Sequence, residues 1–142
     1  MDISIGSDHA GFELKTHIIE HLQNKNNIID HGAYENSSVD YPDFAHKLAA
    51  SIISNKSTLG ILICGSGNGI NMTVNKHKNI RAALCWTNEL AQLARNHNNA
   101  NVLSLPARFI SIEEGLEIVD AFLRSGFEGG RHQRRINKIN CE

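Results

Sequence analysis

The sequence predicts an α/β fold, in which a single domain contains a doubly wound, Rossmann-like, five-stranded parallel sheet sandwiched by helices. Two observations support this prediction. Short apolar segments of strand length alternate along the chain with longer segments whose apolar residues recur at helical spacing. One short segment is apolar almost throughout, as expected for a central parallel strand covered by helices on both faces. In such sheets the ligand site lies outside the carboxyl ends of the strands.

The first half of the chain supplies three strands and two long helices. Ile3 and Ile5 alternate in a short first strand, which a segment of helical periodicity follows. Residues 28–29 form the second strand, and Pro42 opens the second helix, because proline is favoured in the first helical turn. The apolar run 59–64 is the third strand and is predicted to lie in the middle of the sheet.

The second half repeats the alternation. Residues 81–85 form a strand, and Thr87 is a suitable N-cap for the helix that follows. Residues 101–105 form the fifth strand. Ser111 and Glu114 then have the spacing of a capping box at the start of the next helix.

Length and composition indicate one ordinary globular domain. The 142 residues fit one domain, 1–142, and the net charge of -1 gives no general attraction to nucleic acid or to anionic membranes. No signal-peptide pattern and no apolar run of about 20 residues occurs, so we expect a cytoplasmic protein without a membrane partner. The three cysteines lack metal-site or redox spacing and are expected to be free thiols.

A glycine-rich turn, residues 65–69 (GSGNG), follows the third strand and leads into a helix. Such a turn directs backbone N–H groups at an anion. The dinucleotide fingerprint belongs after the first strand and requires G-x-G-x-x-G, and a P-loop ends in Gly-Lys-Ser/Thr. Neither pattern is present, so the turn predicts a small anion site without a nucleotide cofactor.

Several residues near this turn can carry chemistry. Cys64 ends the third strand close to a helix N-terminus, which favours a thiolate that acts as base or nucleophile; a buried structural cysteine is the equally weighted alternative. Asp8 and His9 follow the first strand and lie beside the turn if strands one and three are neighbours. His97, between the fourth helix and the fifth strand, has the default interpretation of a solvated loop histidine. Cys85, inside a strand, is predicted to be structural.

No metal site is predicted. His17 and His21 stand four residues apart on a helix, but no third ligand or intervening glutamate completes a set of metal ligands. An exposed helix face is the expected explanation.

Residues 127–142 contain a glycine hinge, Gly129-Gly130, followed by a basic segment that has little apolar surface of its own. One interpretation is a solvated C-terminal helix, and the composition alone favours it. The alternative is an arm that carries arginines to an anion, either in the same chain or in a neighbouring subunit.

Five short motifs occur in one order along the chain. They are residues 6–12 (GSDHAGF), 40–42 (DYP), 63–67 (ICGSG), 95–98 (RNHN) and 128–132 (EGGRH). Together they resemble the ribose-5-phosphate isomerase B family, which also includes the galactose-6-phosphate isomerase subunits, and the resemblance covers essentially the whole chain. It implies the parallel sandwich described above, a homodimer or a dimer of dimers with shared active sites, and an arm that takes part in function.

The resemblance also implies residue roles. Cys64 matches the general base in the branch of the family that uses cysteine, Ser66 matches a hydroxyl residue that assists at the substrate, and His97 matches the residue that helps to open the furanose ring. The N–H groups of the turn would stabilise an enediolate. The implied substrate contacts are Gly65, Gly67, Asn68 and Gly69 at the turn, Asp8 and Tyr41 at the sugar hydroxyls, Asn98 near the reacting oxygens, and His9, Arg108, Arg131 and Arg135 at the phosphate.

The implied reaction is the interconversion of D-ribose 5-phosphate and D-ribulose 5-phosphate in the non-oxidative pentose phosphate pathway, without metal or cofactor. Two residues of the turn depart from the family pattern: Ser66 stands where threonine is commoner, and Asn68 stands where an apolar residue is frequent. These departures bear on the substrate preference, and an isomerase of allose or galactose 6-phosphate is the first alternative. A non-catalytic sugar-phosphate sensor is the second, but it would not need Cys64, Ser66 and His97 together. An aromatic content of only 6% gives no stacking platform for nucleic acid.

Overall fold

The computed structural model describes residues 1–141 and contains one five-stranded parallel sheet with the order β2-β1-β3-β5-β4. This arrangement confirms the predicted fold class and the central position of the third strand. Glu142, the last residue of the predicted domain and arm, lies outside the described residues. The strands are β1 (Asp2–Ser7), β2 (Asn27–Asp30), β3 (Leu59–Cys64), β4 (Ala82–Leu84) and β5 (Val102–Pro106).

Helices cover both faces of the sheet. α1, α4 and α5 pack over one apolar cluster, and α2 and α3 pack over the other. All six residues of β3 are buried, and they alternate between the two clusters, so that Cys64 shares a cluster with Ile70 of α3. The helices are α1 (Phe12–Leu22), α2 (Tyr41–Ile53), α3 (Asn68–Val74), α4 (Asn88–Asn98), α5 (Ile112–Arg124) and α6 (Arg131–Ile136).

The predicted helix starts are confirmed. The Thr87 hydroxyl accepts a hydrogen bond from the Leu90 N–H at 3.2 Å. At the start of α5, the Ser111 N–H donates to the Glu114 carboxylate and the Glu114 N–H donates to the Ser111 hydroxyl, both at 3.0 Å. These reciprocal bonds satisfy two N–H groups that a helix start would otherwise leave unpaired.

The prediction that His97 lies in a loop is wrong. α4 continues through His97 to Asn98 and ends only where Asn99 adopts a left-handed backbone with φ of 45°. Asparagine tolerates this conformation and can therefore end a helix in place of glycine. The periodic apolar residues of α4 stop a full turn earlier, so the pattern of apolar residues alone underestimates its length.

The C-terminal segment is a short helix that packs against α4. His132 and Ile136, one turn apart, are buried, whereas Arg131 and Arg135, also one turn apart, are exposed. α6 is therefore docked along one side and basic on the other, because residues four apart share a helix face. Within residues 1–141, none of the helices is both long enough and apolar enough to cross a membrane.

Candidate active site

The ends of β1 and β3 bring the first group of predicted site residues together. The two strands are direct neighbours, and the Asp8 N–H, just after β1, donates to the carbonyl of Ile63 at 3.2 Å. Asp8 and Cys64 are both buried. The expectation that Asp8 lies beside the glycine turn is thus confirmed, and this edge of the sheet is the carboxyl edge, where parallel α/β folds bind ligands.

Asp8 and His9 are held by backbone groups. The Asp8 carboxylate accepts a hydrogen bond from the Gly11 N–H at 3.1 Å, which fixes the loop before α1. The Nδ1 of His9 accepts from the Val39 N–H at 3.2 Å. A nitrogen that accepts carries no proton, so neutral His9 has its proton on Nε2 and can donate it to an anion.

The glycine turn is shaped by the side chains that lie against it. Gly67 has φ of 76°, a left-handed conformation that favours glycine, and a Cβ there would collide with Leu84. The ring of Tyr41 lies where a Cβ on Gly69 would be. The absence of a side chain on Gly69 therefore lets Tyr41 reach the start of α3.

Arg108 lies on the other side of the turn. Its N–H donates to the carbonyl of Gly65 at 3.0 Å, and a Cβ on Gly65 would come within 2.9 Å of the guanidinium. The guanidinium thus packs directly on the first glycine of the turn, next to Cys64. The Asn68 N–H donates to the Ser66 hydroxyl at 3.2 Å, so Ser66 and Asn68 are coupled at the start of α3.

An open cavity of about 590 Å³ adjoins this edge. Sequence reasoning did not single out its two aromatic residues, Trp86 and Phe109, whose side chains are largely exposed. Exposed aromatic residues at adjacent positions in space often mark an interaction surface. The cavity is lined by Ser66, Asn68, Leu84, Trp86, Thr87, Pro106, Phe109 and Glu114.

The remaining predicted residues, His97, Asn98, Arg131 and Arg135, lie at the opposite, amino edge of the sheet. The side chain of Arg81, which precedes β4, donates to the carbonyl of Asn98 at 3.0 Å. The five residues of β5 separate the two edges by about 13 Å, because a strand rises about 3.3 Å per residue. One chain alone does not bring His97 and Cys64 together.

His97 belongs to a cluster that sequence reasoning missed. Its Nε2 lies 3.4 Å from Oε1 of Glu128, and the Nε2 of His132 lies 3.6 Å from the same oxygen. The two imidazoles are stacked, with centroids 4.2 Å apart and planes inclined by 12°. In the described part of the chain this is the one set of three possible metal-ligand side chains that lie close together, all ligand atoms being within 4.8 Å.

The surroundings of His132 in this cluster favour its neutral form. Burial lowers the pKa of His132 below its ordinary value, and the charges of His97 and Arg131 lower it further, whereas Glu128 acts in the opposite direction. His132 is therefore held in its neutral form near neutral pH. A signal for the cluster exists in residues 128–132 (EGGRH), but the sequence does not show that this segment docks against the end of α4.

Other histidines and cysteines belong to neither group of candidate site residues. His17 and His21 are exposed, which confirms their assignment to a helix face, and His21 pairs with Asp120 at 2.8 Å. Burial raises the pKa of the Cys85 thiol to about 12, as expected for a structural cysteine. Cys141 is exposed.

The relatives of this chain have consistent names. The family model described as Ribose/Galactose Isomerase matches residues 3–139. The "Probable ribose-5-phosphate isomerase B" of Mycoplasma pneumoniae is 51% identical over 139 residues, which cover 96% of this chain and 91% of the relative. The "Ribose-5-phosphate isomerase B" of Escherichia coli is 42% identical over 140 residues, which cover 98% of this chain and 94% of that protein.

Two solved structures are similar to this chain in both fold and sequence. Ribose-5-phosphate isomerase B from Clostridium thermocellum superposes with a TM-score of 0.96 at 45% identity, covering 98% of this chain and 95% of that chain. The enzyme from Mycoplasma genitalium, solved with bound ribulose-5-phosphate, has a TM-score of 0.93 at 51% identity, covering 97% and 93% of the two chains. The motifs, the fold and these matches together show that the chain belongs to the Ribose/Galactose Isomerase family.

Proposed function

We propose that the protein is an aldose-ketose isomerase that interconverts D-ribose 5-phosphate and D-ribulose 5-phosphate. The observation that carries the proposal is the position of Cys64, buried at the carboxyl edge between Asp8 and the glycine turn. The 51% identity to the Mycoplasma genitalium enzyme, which was solved with ribulose-5-phosphate, supports the choice of substrate.

In the proposed mechanism, Cys64 is the base. Its thiolate takes the proton from C2 of the open-chain aldose, electrons move to O1, and an enediolate forms. The thiol then returns the proton to C1 as O2 becomes the ketone, while one proton passes from O2 to O1. The N–H groups of residues 65–69 stabilise the negative charge, and Ser66 hydrogen-bonds to the reacting oxygens.

The phosphate and the sugar hydroxyls hold the substrate against this base. We assign His9 and Arg108 to the phosphate, because the Nε2–H of His9 and the exposed guanidinium of Arg108 are free to donate to a dianion. We assign Asp8 and Tyr41, which border the glycine turn, to the sugar hydroxyls. The steps use side chains and backbone N–H groups alone, without a metal or a cofactor.

The proposed catalytic unit is a homodimer. His97, Asn98, Arg131 and Arg135 lie at the amino edge, about 13 Å from the Cys64 edge by the length of β5, so they complete a site only across a subunit interface. We propose that the amino edge of one subunit faces the carboxyl edge of its partner. The exposed Trp86 and Phe109 beside Ser66 supply apolar surface for this contact.

Within this dimer, we propose that residues 1–142 act as one domain and that residues 127–142 form the arm, which carries two arginines to the partner's phosphate site. Assembly of two such homodimers into a dimer of dimers is compatible with the same arrangement. The three free cysteines favour a reducing compartment, so we propose the cytoplasm.

A coupled assay tests the substrate by comparing ribose 5-phosphate with allose 6-phosphate and galactose 6-phosphate. We expect ribose 5-phosphate to have the highest kcat/KM, because one extra carbon in a fitted site costs about 10–200-fold. Turnover of a hexose phosphate alone would assign the protein to hexose phosphates. Binding of all three without turnover would indicate a sensor.

A further inference from the structure

The cluster formed by His97, Glu128 and His132 lies outside the Cys64 edge, and no role has been assigned to two of its members. We infer that Glu128 is a positioning residue that orients the His97 imidazole for opening of the sugar ring, with His132 as a stacked support. The inference rests on the proposed function, because it concerns how the ring form of the substrate becomes the open chain.

The backbone of Glu128 is held close to His97. The Glu128 N–H donates to the carbonyl of Asn96 at 3.0 Å, one residue before His97. The next two residues, Gly129 and Gly130, have φ of 70° and 58°, and they turn the chain into α6. The backbone of Glu128 is therefore fixed at the end of α4, within reach of His97 for its side chain.

The geometry selects one nitrogen of His97 for chemistry. Oε1 of Glu128 lies 3.4 Å from Nε2, a separation that shortens to a hydrogen bond with a small movement of an exposed side chain. An ionised carboxylate accepts hydrogen bonds but cannot donate one, so the Nε2 that faces it carries the hydrogen and Nδ1 has the free lone pair. Nδ1 is thus the nitrogen that exchanges a proton with the sugar.

His132 restricts the plane of the His97 ring. It is buried, it stacks on His97 at 4.2 Å, and its own Nε2 faces the same carboxylate oxygen at 3.6 Å. Neutral His132 adds no second positive charge beside a protonated His97. The half-exposed His97 can therefore gain and lose a proton while its ring stays between a stacked neighbour and the substrate.

The same three side chains resemble a metal-ligand set, but their orientation argues against that use. The imidazole planes are stacked and differ by only 12°, so the lone pairs of the two Nε2 atoms lie in two separate, nearly parallel planes that do not meet near the rings. A zinc ion bound by two histidines lies about 2.0–2.1 Å from each nitrogen, along lone pairs that converge. The stacked arrangement favours a shared carboxylate over a shared ion.

Ring opening needs a proton acceptor at one oxygen and a proton at another. In the furanose form of ribose 5-phosphate, the proton of the C1 hydroxyl leaves, the C1–O4 bond breaks, an aldehyde forms at C1, and O4 takes up a proton. Nδ1 of His97 accepts the first proton and delivers it to O4. Ribulose 5-phosphate needs no such step, because its phosphorylated O5 cannot close a five-membered ring.

This difference between the two substrates gives the test. We compare the wild type, Glu128→Gln, His97→Asn and the double variant in two assays. The first measures kcat and KM for ribose 5-phosphate. The second measures exchange of the C1 hydrogen of ribulose 5-phosphate in D₂O by NMR, which requires the base but not ring opening. Asp120→Asn, which removes the carboxylate partner of the exposed His21, is the matched control.

We expect Glu128→Gln to lower kcat for ribose 5-phosphate by at least about tenfold, since general acid-base groups contribute about 10²–10⁴-fold, and to change hydrogen exchange by less than about threefold. In the His97→Asn background it should have no further effect, because residues that act through one another are non-additive. Asp120→Asn should behave as the wild type.

Three results would overturn the inference: no loss with Glu128→Gln, an equal loss in both assays, or a full additional loss in the His97→Asn background. Circular dichroism checks folding of the variants, and assays in EDTA exclude a bound metal as the source of any effect. A wild-type protein that is inactive in both assays would overturn the proposed function itself, and this inference with it.

Discussion

Cys64 and Cys85 are two buried thiols with different surroundings. Cys64 ends β3 next to a turn of backbone N–H groups, whereas Cys85 follows β4 in an apolar setting that raises its pKa to about 12. A thiol with that pKa carries almost no thiolate at neutral pH and is a poor base or nucleophile. The two cysteines therefore provide a test and its control within one chain.

Replacing Cys64 should remove catalysis and keep binding. We expect Cys64→Ala to lower kcat by about 10²–10⁴-fold or more, because the thiolate acts on the barrier while the phosphate contacts hold the ground state. Calorimetric titration with a sugar phosphate should give a near-normal Kd. Near-normal turnover of Cys64→Ala, with Cys85→Ala as the comparison, would refute Cys64 as the base.

Alkylation should distinguish the same thiols chemically. Iodoacetamide should inactivate the enzyme by labelling Cys64, and a bound substrate analogue should protect it. Exposed Cys141 should be labelled without loss of activity. Mass spectrometry of the labelled peptides against residual activity measures this, and inactivation that follows Cys85 or Cys141 labelling would move the site elsewhere.

At the scale of the helices and strands, the capping box of α5 contributes stability that depends on pH. The backbone hydrogen bond from Ser111 lowers the pKa of Glu114, so the ionised form is favoured in the folded state. A group with a lowered folded pKa stabilises the fold above its usual pKa, and this contribution disappears as the pH falls through the lowered value.

We therefore expect Glu114→Gln to have a lower Tm than the wild type at neutral pH and a difference that shrinks as the pH falls through and below the usual carboxyl range, where Glu114 becomes protonated. Thermal unfolding followed by circular dichroism at several pH values measures the difference. Glu113→Gln, one residue earlier in the same turn, is the control. A Tm difference that is independent of pH would contradict the role of the carboxylate.

The turn before α6 can be tested with two glycines that have equally open surroundings. Among residues 1–141, no atom lies within 4 Å of a Cβ placed on Gly126 or Gly130, but of these two glycines only Gly130 has a positive φ, of 58°. We expect Gly130→Ala to destabilise the docked arm, since such strain costs on the order of 1–3 kcal/mol, and Gly126→Ala to have little effect. Hydrogen exchange of residues 127–136 measures docking, and equal protection in both variants would contradict the expectation.

The alternation of strands and helices could be predicted because it depends on local patterns. β3 was predicted with its observed bounds, since a fully buried strand is apolar throughout. The end of α4 could not be predicted, because its last turn contains His97 and Asn98 rather than apolar residues. The pairing of Glu128 with His97 also could not be predicted, since it depends on how α6 docks.

At the scale of the whole molecule, the distribution of site residues predicts complementation between defective subunits. If a Cys64→Ala subunit and an Arg131→Ala subunit form a heterodimer, one of its two shared sites contains both substitutions and the other contains neither. We expect activity to return to about a quarter of the wild-type value in a random equimolar mixture, because half of the dimers are heterodimers with one intact site.

The control is the mixture of Cys64→Ala with Asp8→Asn, two changes at the same edge of the sheet. Each heterodimer site then carries one lesion, so this mixture should stay inactive. Native mass spectrometry verifies subunit exchange in both mixtures. If the Cys64→Ala and Arg131→Ala mixture stays as inactive as its parents, both residues serve one pocket within a single chain, and the shared-site dimer is wrong.

The turn after β3 also has a consequence for how the substrate range of this protein can evolve. Gly65, Gly67 and Gly69 each lie against a neighbouring side chain, so a larger residue at any of them would displace Arg108, Leu84 or Tyr41. Ser66 and Asn68 alternate with them, are exposed and line the open cavity. Selection for a different sugar is therefore confined, within this turn, to those two positions, and the three glycines that alternate with them keep the shape of the site while Ser66 and Asn68 diverge.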